Sequence, residues 1–189
     1  MKFCSHCGSA DIALRIPPGD SLPRFVCGAC DASHYENPKI VVGCLPVWED
    51  RVLLCKRAIE PRYGLWTLPA GFLENGETLQ SGAERETLEE ADARVELGEL
   101  YTVISLPQIH QVYMMFRSRL LDLDFGPGTE SLEVRLFDES EVPWEQLAFR
   151  TIARTLRNFF LDRRLGAFKL HVSSIERRAP LPPDLLAAG

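Results

Sequence analysis

No run in this 189-residue chain approaches the eighteen or more apolar residues of a membrane-spanning helix, so a span of that kind is excluded. Basic residues are in the minority: 21 Lys and Arg against 27 Asp and Glu leave a formal charge of −6 and a pI near 5.3. That balance excludes a broad basic surface for gripping long nucleic acid. An anionic small-molecule substrate would instead need cations between itself and the protein. Internal repeats and long low-complexity tracts are missing too, which excludes a solenoid or a linker-rich chain. Met1-Lys2-Phe3 leads straight into a cysteine motif rather than a signal-like leader, so a cytoplasmic protein is expected. What is present is a hydrophobic content of 46%, enough for one sizeable core plus a small appendage.

The six cysteines divide unevenly. Cys44 and Cys55 stand in apolar strand-like runs and read as plain core residues. The other four form the pairs Cys4-Ser-His-Cys7 and Cys27-Gly-Ala-Cys30, with nineteen residues between them. In a reducing compartment two such knuckles read as the four thiolates of one tetrahedral zinc. A redox pair is the alternative, but neither C-x-x-C opens a helix after a strand. His6 and His34 lie near enough in sequence to replace a cysteine, although four cysteines already complete the shell. Between the pairs the apolar residues are few, chiefly Ile12, Leu14, Ile16, Leu22 and Phe25, so metal is expected to supply much of the folding energy.

The composition changes around Tyr35-Glu-Asn-Pro38. The expected organisation is a zinc ribbon over 1–36, a main domain over 37–178, and a proline-rich tail over 179–189 that lies along a surface or stays disordered. Strands are expected at Ile40–Trp48 and Val52–Arg57, joined as a hairpin, and at Trp66–Gly71, Val95–Ser105, Gln111–Leu121, Leu132–Phe137 and Phe168–Ile175. Pro143–Leu147 begins a short helix, and Thr151–Arg163 is amphipathic with Ile152, Leu156, Phe159 and Phe160 on one side. The pattern is α+β with a mixed sheet.

The stretch from Gly71 to Ala93, GFLENGETLQSGAERETLEEADA, carries six Glu. If Thr78–Ala91 is helical, Glu86, Glu89 and Glu90 stand at i, i+3 and i+4 and project from one side. A solvated acidic face is the plain explanation of such a run. A carboxylate cluster that holds magnesium or manganese against a phosphoryl substrate is the chemical one.

The spacing of the whole stretch resembles the signature of the Nudix hydrolases, G-x5-E-x7-R-E-U-x-E-E-x-G-U, with U a bulky apolar residue. Gly71, Glu77, Arg85, Glu86, Glu89 and Glu90 match it, with Thr87 at the first U. Asp92 replaces the glycine and Ala93 the last bulky residue. Asp can visit the left-handed conformation that the glycine would supply as a helix cap. The resemblance implies an α/β/α sandwich around the mixed sheet. It further implies that Glu86 and Glu90 are the main ligands of Mg or Mn, that Glu89 is a further ligand or the base, that the Gly71 carbonyl completes a site, and that Arg85 pairs with Glu77. A base from a later loop is also implied. Glu130 and Glu133 are the candidates, and Glu130 is favoured because Glu133 already begins a strand.

The stretches PPGDSLPRFVCGAC, YENPKIVVG, GLWTLPAGF and QVYMMFRSRL resemble a zinc-ribbon branch of the family that includes a plant chloroplast FAD pyrophosphohydrolase. That resemblance implies cleavage of FAD to FMN and AMP, with ADP-ribose as a second nucleotide-derived substrate and a homodimer as the assembly. NADH is the rival substrate, but Ser105-Leu-Pro-Gln-Ile-His-Gln lacks the S-Q-P-W-P-F-P-like run of that group. Pro107 resembles a mark of ADP-ribose enzymes only weakly. Tyr35, Trp48, Tyr63, Trp66 and Phe116 could stack on a base and Arg57 or Arg62 could meet phosphate, but packing or surface roles are favoured for all of them. A nucleotide-sensing regulator is the reading from another class. It is disfavoured by the complete carboxylate set and by a ribbon whose only Lys or Arg residues between Cys4 and Cys30 are Arg15 and Arg24.

Overall fold

A computed structural model describes residues 1–176 and divides the chain at Pro38/Lys39 into two units. The tail expected from 179 lies outside the described residues.

The first unit is a three-stranded antiparallel sheet of β1 (Ile12–Arg15), β2 (Arg24–Cys27) and β3 (Ser33–His34), in the order β1-β2-β3. Its apolar core is thinner than the sequence suggested. Leu14, Ile16 and Leu22, expected to contribute, are 62%, 59% and 56% exposed, while Cys4, Val26 and Cys27 are buried. The reason is spacing: on so short a hairpin, one face is the cysteine cluster and there is no second layer to cover the other.

The second unit is built on an eight-stranded mixed sheet. Its strands are β4 (Lys39–Trp48), β5 (Arg51–Arg57), β6 (Trp66–Thr67), β7 (Ala70–Phe72), β8 (Val95–Leu106), β9 (Gln111–Leu120), β10 (Ser131–Phe137) and β11 (His171–Ser174). The main path runs β10-β5-β4-β9-β8-β11, with β6 on β5 and β7 on β4. The β4–β9 and β8–β11 pairs are parallel and the rest antiparallel.

Alternation along the central strands sends side chains to two helical layers, as the expected sandwich requires. Leu45, Val52 and Leu54 meet Ile152, Leu156, Phe159 and Phe160 of α2 (Arg150–Leu165) on one side. Val42 and Cys44 meet Ala83 of α1 (Leu79–Ala91) on the other, where Leu53 and Cys55 pack with Ala91. Each such fully buried Leu, Ile or Phe contributes about 1.5–3 kcal/mol. Cys44 and Cys55 are sealed in this core, and burial pushes the Cys44 thiol up to about 11 and that of Cys55 well above its ordinary value.

Two local differences from the sequence reading have physical causes. Trp66–Gly71 is two short strands rather than one, because Pro69 has no N–H to continue a ladder. Its carbonyl instead accepts from Cys44 N–H at 3.1 Å, and the chain moves from an edge on β5 to an edge on β4. Gly43 permits the crossing, since a Cβ there would stand 2.3 Å from the Pro69 oxygen. The last strand is shorter than Phe168–Ile175, because Phe168 turns to pack on Phe159.

A buried polar group fastens β11 to α2. Asp162 Oδ2 accepts from Tyr101 Oη at 3.0 Å and lies 2.7 Å from His171 Nε2. Burial opposes the charge on Asp162, but these two partners prevail and hold its carboxyl below the usual range.

Candidate active site

The carboxylate stretch becomes α1 through defined ends. Thr78 is the N-cap, its hydroxyl accepting from Ser81 N–H at 3.0 Å while Ser81 Oγ accepts from Thr78 N–H at 3.0 Å, a capping box with serine in the reaching position. Asp92 ends the helix in the left-handed region, at φ 44° and ψ 32°, and its N–H closes on the Leu88 carbonyl at 2.8 Å. The departure from glycine at this position is therefore accommodated. Gly82, Ala83, Thr87 and Ala91 face the sheet, and Thr87 Oγ1 settles its polarity on the Ala83 carbonyl at 2.8 Å.

Glu86, Glu89 and Glu90 do share a side of α1, but their surroundings differ. The Glu89 side chain is 58% exposed and that of Glu86 12%, whereas Glu90 is buried. Glu90 Oε2 accepts from Ala70 N–H at 3.0 Å. Glu86 lies on Gly71 of β7, so close that a Cβ there would meet its Oε2 at 2.3 Å. The glycine is thus required for approach, not for an unusual backbone angle.

Arg85 ties these groups together. Its Nε and Nη2 donate to the two oxygens of Glu77 at 2.6 and 3.0 Å, the pairing the resemblance implied, and Nη1 donates to Glu86 at 2.7 Å and Glu89 at 3.0 Å. Nη2 also reaches the Phe72 carbonyl at 3.2 Å. The bidentate contact pulls the Glu77 carboxyl down to about 2. Burial pushes Glu90 up to about 7, with Glu86 and Glu130 adding repulsion against the relief from Ala70 N–H and Arg57. Glu86 is raised as well, again chiefly by burial.

Glu86, Glu89 and Glu90 line a cleft of about 1320 Å³ together with Gly71, Arg57, Tyr113 and Phe149, and Glu77 stands outside it. Glu130 lines it too. Glu133 does not, and sits 3.8 Å from Lys56 Nζ on the outside of β10. The donor set suits a hard divalent cation: buried oxygens, mutually repelling, with one carboxylate laid on a glycine backbone. The carboxylates are turned to Arg85 and to Ala70 N–H, and among the described residues only four cysteine sulfurs converge more tightly.

Those sulfurs belong to Cys4, Cys7, Cys27 and Cys30, all within 4.8 Å of one another, with Cys4–Cys30 at 3.7 Å and Cys7–Cys27 at 3.6 Å. Zn–S bonds of about 2.3 Å in a tetrahedron place sulfurs about 3.8 Å apart, so the cluster fits zinc. His6 and His34 stay outside the set. The His34 ring instead lies 3.4 Å from Ser5 Oγ through Nδ1.

None of Trp48, Tyr63, Trp66 or Phe116 lines the cleft. Trp66 and Phe116 are core, and Trp48 packs against it. The aromatic residues that do line it are Phe72, Tyr113 and Phe149, and the last has the Arg57 guanidinium 5.2 Å from its ring centre. Phe149 was missed because its place depends on how α2 docks, which leaves no local pattern. Arg57 follows Lys56 and closes a strand whose apolar stretch is Val52-Leu-Leu-Cys55. It is buried, with Nε donating to the Pro61 carbonyl at 3.0 Å, and it joins Arg62 on the cleft wall.

Residues 37–159 match the family described as NUDIX domain, and residues 2–36 match the one described as Nudix N-terminal, a zinc ribbon. Among curated proteins the chain is similar to the NAD-capped RNA hydrolase NudC of Stutzerimonas stutzeri (strain A1501), 28% identical over 170 residues that cover 87% of this chain and 58% of the relative. The ADP-ribose pyrophosphatase of Methanocaldococcus jannaschii is 29% identical over 119 residues, 61% of this chain and 69% of that protein. The chain thus spans less than two thirds of the length of the NudC relatives, at 58% of each of two of them. A solved NUDIX hydrolase from Nitrosomonas europaea is 60% identical with a TM-score of 0.90, covering 94% of this chain and 100% of that one. An ADP-ribose pyrophosphatase from Streptococcus suis has the same fold, with a TM-score of 0.61 at 22% identity over 72% of this chain and 99% of that one.

Proposed function

Because the chain belongs to the Nudix family, we propose that its second unit hydrolyses the pyrophosphate bond of a nucleoside diphosphate derivative, with FAD cut to FMN and AMP as the leading reaction and ADP-ribose as a second substrate. The observation that carries the reading is the pair of mutually repelling carboxylates beside Gly71, Glu90 buried and Glu86 partly so, an arrangement that costs stability unless cations are part of the site. Glu86, Glu90, Glu89 and the Gly71 carbonyl would hold magnesium or manganese, which when bound neutralises charge on the phosphoryl oxygens and lowers the proton affinity of water. Arg85 fixes the Glu77 loop and the carboxylates to one another. Glu130 takes the proton from water as its oxygen attacks phosphorus, and the P–O bond to the second phosphate breaks. Arg57 and Arg62 face the anionic substrate, and the cleft exceeds the roughly 300–1,000 Å³ that suits drug-sized ligands. Cys4, Cys7, Cys27 and Cys30 hold a structural zinc.

The second reading, a nicotinamide dinucleotide or its RNA-capping form, is favoured by the names of the NudC relatives and opposed by the absent S-Q-P-W-P-F-P-like run. A panel of FAD, NADH and ADP-ribose with magnesium or manganese, with products identified by mass, separates these. FMN and AMP from FAD at the highest kcat/KM is the expected result. Preference for NADH moves the assignment to the second reading. No cleavage of any of the three, with tight binding of one, would make the protein a nucleotide sensor.

A further inference from the structure

The loop between β9 and β10 is fastened to the last turn of α1. Gly126 N–H donates to the Ala91 carbonyl at 2.9 Å and Gly128 N–H to the Glu90 carbonyl at 3.2 Å. These carbonyls belong to the final four of the helix, which no intrahelical donor reaches, so the loop satisfies them in place of water. Gly128 comes in so close that a Cβ would stand 1.7 Å from the Glu89 carbonyl oxygen and 2.8 Å from its carbon. Both sides of that contact are backbone, and neither has a flexible end to swing away. Gly128 is not marked by a positive φ, so the requirement is purely one of approach.

Glu130 follows two residues later. Its carbonyl accepts from Ala58 N–H at 2.8 Å, and Ser131 N–H turns back onto the Gly128 carbonyl at 3.1 Å. The backbone that delivers Glu130 to the cleft is therefore held on one side by the end of β5. On the other side it is held by the helical turn that carries Glu89 and Glu90.

We infer that Gly128 is a positioning residue for the hydrolysis: its missing side chain seats the loop on the last turn of α1 and thereby sets where the Glu130 carboxylate stands relative to Glu86 and Glu90. The inference rests on the reading of Glu130 as the base. Gly128→Ala must lift the loop by the thickness of a methyl group, and a displacement of about 1 Å at a reacting group costs on the order of 100-fold in rate.

The test is a cycle of wild type, Gly128→Ala, Glu130→Gln and the double variant, assayed with whichever of FAD, NADH and ADP-ribose is turned over fastest. Manganese binding is titrated alongside as a readout independent of turnover. Gly128→Ala is expected to lower kcat at least about tenfold, with KM and manganese affinity within about twofold of wild type. The double variant is expected to be no slower than Glu130→Gln alone. If the two losses multiply instead, or if Gly128→Ala leaves kcat unchanged while Glu130→Gln is slow, Glu130 keeps its role and the inference about Gly128 is overturned. A Glu130→Gln variant with full turnover overturns the base assignment itself. Should Gly128→Ala fail to fold, Ala58→Pro enters the same cycle, because it deletes the other N–H holding the Glu130 backbone without touching α1.

Discussion

Between Met1 and Pro38 the buried apolar residues are Cys4, Pro17, Val26 and Cys27, whereas from Lys39 onward Leu, Ile, Val and Phe side chains pack between a sheet and two helices. On the proposed reading, metal would play opposite parts in these two regions. In the ribbon a zinc held by the four cysteines would stand in for a hydrophobic core. In the larger unit the core folds the chain and the carboxylates of α1 work against it, because partly buried Glu86 stands beside buried Glu90 and Glu130 faces them. A site that costs stability while empty and is repaid on binding is the mark of chemistry rather than architecture.

The largest effect should come from removing zinc. Structural zinc binding is worth on the order of 10 kcal/mol, so chelation or Cys27→Ser should abolish amide protection over the ribbon while leaving α1, α2 and the sheet protected. Hydrogen exchange read by mass spectrometry checks this, and loss of protection in both regions together would break the contrast.

Next in size is Glu90→Gln. Turnover should fall by at least about 100-fold, beyond the 10–100-fold typical of groups one shell further out, while the melting temperature of the metal-free protein at pH 8 rises. The sign follows from the raised carboxyl. With a folded-state value of about 7, above that of the unfolded chain, Glu90 costs nothing at acid pH and is increasingly destabilising as the pH rises toward neutrality. Thermal melts of metal-free protein between pH 5 and 8 should therefore decline less in Glu90→Gln than in wild type. Added magnesium should restore more stability at pH 8 than at pH 5.

The smallest effect is expected at Asp162, away from both metal sites. Its carboxyl is depressed in the folded protein, so its contribution is full above the ordinary carboxylate range and is lost as the pH falls through the folded value. Asp162→Asn should lower the melting temperature near neutrality and flatten the acid limb, with kcat little changed. An unchanged acid limb would mean that the contacts with Tyr101 and His171 add no net stability.

What could be read from sequence was what repeats at short range. The α1 carboxylates and the cysteine knuckles are fixed by spacing within one turn or hairpin, while the left-handed Asp92 and the Arg85–Glu77 pair came from the resemblance to the family signature. The main strands followed from runs of β-branched and aliphatic residues. The break at Leu68-Pro69 was visible as a proline, but the strand exchange it permits depends on Gly43 in a distant segment. Glu130 was favoured over Glu133 because Glu133 begins a strand, but its place on the cleft wall follows from a loop held by hydrogen bonds to helix carbonyls, and Phe149 reaches the cleft only because α2 packs where it does. Such residues carry no local periodicity.

The sealed thiols of Cys44 and Cys55 give the protein a built-in reporter. A thiol-labelling reagent added to the native chain meets exposed sulfur only in the ribbon, at Cys7 and Cys30. The count of fast-labelling groups should rise as the ribbon loses its ion, while two labels are withheld until the larger unit opens. One colorimetric trace would time the two regions separately, with no engineered cysteine.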